Sequence, residues 1–229
     1  MFDLKNIPLP KYSRAEDIAN CITHALGIPF CIVAAVLLIR LHVIASTGTI
    51  VFVSIILYVL STLIVYVGSA VYHGLKPSRA KQIARVIDHS NIFFMIAGTV
   101  TSFALPTMTN ENKTYTIVMI CVIWCFSLVG VLLTFMDFKK FAVPQVFMYV
   151  ILGWAAIFGM RSVYRMGDIG KKFTVMVLIG GVCITVGTVL YLIGKKHKYF
   201  HAVFHTCVLA GSVVIFSGVY NFYSSLFLG

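Results

Sequence analysis

The sequence predicts an all-α membrane protein, a single bundle of seven transmembrane helices with a cytoplasmic N-terminus and an extracytoplasmic C-terminus. Three observations predict it. Hydrophobic residues fill 60% of the 229 positions and charged residues only 11%, with a mean hydropathy of +0.97; soluble domains carry about 25% charged residues. The apolar residues gather into seven uncharged runs, each near the ~20 residues a helix needs to cross hydrocarbon. Nearly every Lys and Arg falls in a short gap between those runs. The net charge of +11 therefore reads as a topology signal, and no nucleic-acid partner is expected.

The runs follow in order. Residues 1–17 form a polar cytoplasmic tail, and 18–229 one transmembrane domain. The start, Met1-Phe2-Asp3-Leu4-Lys5, is polar, so no signal peptide is expected and the first run, near 18–39, stays as an anchor. The chain is uncharged from Leu41 to Leu75, and Ser46-Thr47-Gly48 reads as a turn that opens the second span, 49–72. The third span, 89–105, ends at Pro106 and is the shortest. The remaining spans are 114–136, 142–160, 173–194 and 200–227, and the connectors leave no room for a soluble domain. Gly180-Gly181, Gly211 and Ser212 permit close helix contacts. The six cysteines, at 21, 31, 121, 125, 183 and 207, lack CxxC spacing and read as packing thiols.

Alternate connectors set the orientation. Lys5, Lys11, Arg14, Lys76, Arg79, Lys81, Arg85, Lys139, Lys140, Lys195, Lys196 and Lys198 lie on one side. Only Arg40, Lys113, Arg161, Arg165, Lys171 and Lys172 lie on the other. Twelve against six places the N-terminus inside, although the fifth connector holds four of the minority charges. The second span then ends inside at His73, the third begins there at Asp88, and the seventh begins there with His201 and His205.

Those four groups share one depth whichever way the bundle is oriented. His201 and His205 are four residues apart and project from one helix face. Ser69 and His73 have the same spacing. Three imidazoles from two helices can bind Zn2+ and leave a fourth position for water, which zinc activates at neutral pH. Asp88 could move that water's proton, and Ser69 could hydrogen-bond the water or a substrate carbonyl. The plainer reading stands beside this one. An isolated HxxxH pair is a weak signal, a histidine near a helix end is commonly an interface residue (as His42, His89 and His197 are taken to be), and Asp88 could pair with Arg85 or His89. Polar groups within membranes are rare and tend to be functional.

The segment from Tyr12 to Gly27, with Glu16, Asp17, Asn20, Thr23 and His24, resembles the opening signature of the hemolysin III family, the bacterial branch related to progestin and adipoQ (adiponectin) receptors. Ser69-Ala-Val-Tyr72-His73, Asp88-His-Ser, Ala97-Gly98-Thr99, Gly153-Trp154 and His201-Ala-Val-Phe-His205 continue the resemblance in the family's order along the whole chain. It implies seven helices, a bacterial plasma membrane, and zinc at the cytoplasmic side held by His73, His201 and His205, with Ser69 and Asp88 around the zinc-bound water. Val100, Ser102 and Phe204 depart from the family pattern, which puts the shape of the neighbouring pocket in question. Glu16, Asn20 and His24 match the first-helix signature. They serve either as support behind the ligands or as capping and helix–helix hydrogen bonding.

Three functions remain open at this level. Related receptors and alkaline ceramidases share the constellation, which implies a zinc-dependent intramembrane hydrolase acting on a lipid amide or ester. A membrane-active, cytolytic protein with structural zinc is the alternative, although no pore-lining charged stripe is visible. The third is a lipid-sensing, receptor-like protein. Membrane lipids are the expected partners in each case, and nothing in the sequence fixes an oligomeric state.

Overall fold

The structure is a computed structural model and describes residues 7–109, 112–194 and 197–229. The reading of Met1–Lys5 and the topology charges Lys5, Lys195 and Lys196 lie outside the described residues. Among the described residues the regular structure is helical throughout.

Helix α1 (Arg14–Ala25) starts ahead of the apolar run because Ser13 and Glu16 form a reciprocal capping box. The Ser13 hydroxyl accepts from the Glu16 amide at 3.3 Å, and the Glu16 carboxylate accepts from the Ser13 amide at 2.9 Å. α1 passes into α2 (Gly27–Ala45) through Leu26. The offset follows from Pro29, which has no N–H to donate to the Ala25 carbonyl and whose ring crowds it. α2 stops where Ser46 takes the left-handed conformation (φ 49°), followed by Gly48 at φ 82°. This is the turn expected at Ser46-Thr47-Gly48.

α3 (Thr49–Gly74) and α4 (Arg79–Ala104) form the next hairpin. The Ser78 hydroxyl accepts from the Lys81 amide at 3.3 Å and caps α4. α4 thus begins well before the predicted span at 89, and it ends before Pro106 as expected. α5 (Lys113–Met136), the short α6 (Phe138–Phe141), α7 (Pro144–Tyr164), α8 (Asp168–Ile193) and α9 (Phe200–Phe227) complete the chain. Pro144 sits in the first turn of α7, where its missing N–H costs nothing.

By length and apolarity, six helices can cross a membrane: Arg14–Ala45 as one unit, α3, α5, α7, α8 and α9. The segment expected as the third span belongs to α4. That helix is as long as α3, but its first half carries Arg79, Lys81, Arg85, Asp88 and Asn91 and dilutes its hydropathy.

Successive helices pack side by side, α4 also meets α7, and α9 returns onto α1 and α2, which closes the bundle. Small residues set the closest approach. A Cβ on Gly180 would lie 2.8 Å from the Gly211 carbonyl, and one on Gly211 would lie 2.8 Å from that of Gly180, so α8 and α9 touch backbone to backbone. Gly181 does not share this role and has open space where a Cβ would stand. Ser212 accepts from Tyr66 at 2.8 Å and ties α9 to α3. The outer surface is aliphatic and aromatic: Phe158 is 73% exposed, Ile151 69% and Val43 67%. Such a surface suits lipid and is far more apolar than water-facing surfaces tolerate. Cys121 and Cys125 lie on this outer surface rather than in the packing, and all six thiols are free.

Candidate metal centre

His73 lies in the last turn of α3, and His201 and His205 in the first turns of α9. α9 enters through Tyr199, left-handed at φ 64°, whose amide donates to Glu16 at 3.4 Å. The start of the last helix is thereby held against the first. This places the His73 and His201 Nε2 atoms 3.2 Å apart. One nitrogen from each of His73, His201 and His205 lies within 4.8 Å of the others, so the three could hold a metal ion together. His73 and His205 are each 2% exposed.

The outward nitrogens fit that use. His73 Nδ1 lies 3.2 Å from Asp17 Oδ1. His205 Nδ1 lies 3.1 Å from the Asn20 carbonyl and 3.3 Å from the Thr23 hydroxyl. An Nδ1–H donated outward leaves the Nε2 lone pair facing the cluster, the tautomer that a metal ligand needs. His201 Nδ1 is buried with no protein partner. A neutral nitrogen donor set of this kind suits zinc, copper, iron or nickel.

Beside the cluster a cavity of about 190 Å³ begins among His24, Ser69, Asp88, His201 and His205. It continues between α4, α7, α8 and α9 past Thr99, Trp154, Gly181 and Thr185 to Met160 and Ile215. The histidines and Asp88 gather at one end, and the body is mainly apolar, with the hydroxyls of Thr99 and Thr185 and the Trp154 indole paired within the protein. Val100 and Phe204 line this cavity, whereas Ser102 points into the helix packing and donates to the Thr99 carbonyl at 2.7 Å. Ser69 is fully buried and its hydroxyl has no protein partner. Asp88 stands outside the group of three potential ligands and lies 3.3 Å from His89.

The first-helix residues divide unequally. Glu16 is occupied by capping and by the Tyr199 amide. Asn20 meets His205 through its main chain, while its side chain is buried without a partner. The His24 ring lies against that of His205, tilted by 38° with centroids 3.6 Å apart, and neither of its ring nitrogens is paired. His42 pairs with Thr47 at 2.7 Å, far from the cluster.

Sequence reasoning passed over Asp17, Lys81 and Tyr12 at this site. Lys81 Nζ lies 2.7 Å from Asp17 Oδ2 and is buried at 3% exposure. The Tyr12 ring lies 5.4 Å from that of His201 and 6.0 Å from that of His73. Burial, reinforced by Tyr191 and Asp17, pushes its phenol above the ordinary range, so it stays protonated. A signal for Asp17 existed: Asp17, Asn20 and His24 are spaced i, i+3, i+7 on one helical face. Counting Asp17 into the polar tail hid it.

Fold and site together define an integral membrane protein whose buried triple-histidine cluster, at the head of an apolar cavity, can hold a metal ion. Residues 12–216 match the family described as Haemolysin-III related, and the chain belongs to it. It is 33% identical over 206 residues to the Hemolysin-3 homolog of Bacillus subtilis (strain 168), covering 90% of this chain and 93% of the relative. It is 29% identical over 201 residues to the Hemolysin-3 of Bacillus cereus, covering 88% and 89% respectively. The apolar helices and these bacterial relatives make it a multi-pass protein of a bacterial cell membrane.

Proposed function

We propose that this protein is a zinc-dependent intramembrane hydrolase acting on a lipid amide or ester, built on seven spans with α4 as the third and the N-terminus in the cytoplasm. The observation that carries the reading is the junction of three inward-facing imidazoles with the polar end of a long apolar cavity. The excess of basic residues beside the histidine end supports the orientation.

In this reading His73, His201 and His205 hold zinc. When bound, zinc supplies Lewis acidity toward a carbonyl and activates water at neutral pH. The apolar walls hold the acyl chain and keep bulk water away. Ser69, unpaired and aimed into the cavity, donates to the carbonyl oxygen as negative charge develops there. Asp88 takes the proton from the attacking water and returns it to the leaving amine or alcohol as the carbon–nitrogen or carbon–oxygen bond breaks.

A panel of lipid amides and esters incubated with wild type and Asp88→Ala tests this. Turnover by wild type, lost in the variant while zinc is retained, supports the hydrolase. Absence of turnover across the panel with zinc bound counts against it. The names of the two relatives favour a second reading, a membrane-active protein with structural zinc. Dye release from lipid vesicles that survives Asp88→Ala would favour that one.

A further inference from the structure

Asp17 divides its two carboxylate oxygens between His73 Nδ1, at 3.2 Å, and Lys81 Nζ, at 2.7 Å. We propose that Asp17, held from behind by the buried Lys81, orients His73 for the metal, so that the metal centre begins in the first helix. The inference rests on the zinc reading and concerns positioning residues, since neither group reaches the inward nitrogens.

Lys81 stands where a cation is hard to accommodate. It lies in the first turn of α4, where the helix dipole disfavours positive charge, and at 3% exposure it has left most of its water. Such a buried charge persists only with partners. The structure supplies three: Asp17 Oδ2, the Leu75 carbonyl at 3.0 Å and the Tyr72 ring face, with 5.5 Å to its centroid. Leu75 caps the C-terminus of α3. Lys81 therefore fixes the end of the helix that carries His73 as well as the carboxylate behind His73.

The three histidines differ in this respect. His205 leans on a neutral carbonyl, and the outer nitrogen of His201 has no protein partner. Only His73 is backed by a charged acceptor. A carboxylate donor–acceptor link of this kind fixes the tautomer and raises the basicity of the inward nitrogen. Lys81 keeps the carboxylate anionic and in place, so the proton stays on His73 Nδ1.

The test is metal binding by purified full-length protein in detergent. Zinc affinity is read by chelator competition and ligand geometry by the visible spectrum of the Co2+ form, for wild type, Asp17→Asn, Asp17→Glu, Lys81→Met and His201→Ala. Asp17→Asn should lower zinc affinity about 10- to 100-fold and alter the Co2+ bands. Asp17→Glu should recover part of the loss, and Lys81→Met should fall in the same direction by less. Wild-type affinity and spectrum in Asp17→Asn would overturn the inference while leaving the metal site standing. If Asp17→Asn does not yield monodisperse protein, unchanged affinity and spectrum in Lys81→Met overturn the clamp from its other end. Wild type without metal, or binding unchanged in His201→Ala, would remove the zinc reading itself.

Discussion

At the bundle end away from the histidines, Tyr223 donates to the Ser102 carbonyl and shares a 3.0 Å hydrogen bond with Ser54, and Tyr115 donates to the Phe158 carbonyl at 2.6 Å. At the histidine end, the Asn20 side chain, both His24 nitrogens, the hydroxyls of Ser69, Tyr72 and Ser90, Arg85 Nε and His201 Nδ1 are buried without a protein partner. Among the described residues, every such atom belongs to that half. Leaving a buried polar group unpaired costs about 1–3 kcal/mol, and a bundle does not accumulate that cost for packing alone. One end uses polar groups to join helices; the other leaves many unpaired by the protein, as the proposed metal and substrate site would require.

The sharpest way to break this comparison is His205→Ala. It should abolish stoichiometric zinc, read by elemental analysis, while helicity in detergent is retained. Chelation should lower the thermal midpoint of wild type and leave this variant unmoved, because only a protein that binds zinc is stabilised by it. Tyr223→Phe comes next. Removing a hydroxyl that serves both Ser54 and Ser102 should destabilise the bundle by about 1–2 kcal/mol in thermal melts, with zinc content unchanged. Ser69→Ala should produce the smallest stability effect, within about 0.5 kcal/mol, because its hydroxyl gives up no protein bond. Turnover of whichever lipid wild type cleaves should nevertheless drop at constant zinc content. A stability loss in Ser69→Ala matching that of Tyr223→Phe would erase the distinction between the two ends.

Much of this was legible in the chain. Uncharged runs located the six helices long and apolar enough to cross a membrane, the Ser46-Gly48 turn fell where expected, and the Gly180–Gly211 contact was visible as paired small residues. His73, His201 and His205 were found because a topology argument needs only chain order to bring segment ends together. Polar helix starts were harder to see. α1 begins in a capping box and α4 in a basic stretch, and neither shows in hydropathy. The Asp17–His73 and Asp17–Lys81 links span 56 and 64 residues. Each partner had a sufficient local explanation, as tail acid or topology charge, so only the folded arrangement reveals them.

α9 docks onto α1 through Tyr199 and Glu16, and the histidine cluster joins His73 to His201 across 128 positions of the chain. His73 and its carboxylate precede α9 in the chain, and His201 and His205 come only with that helix. On the proposed metal reading, capture therefore waits for the insertion of α9. In that reading, a protein that has trapped its ion is one whose α9 has been inserted and has found α1.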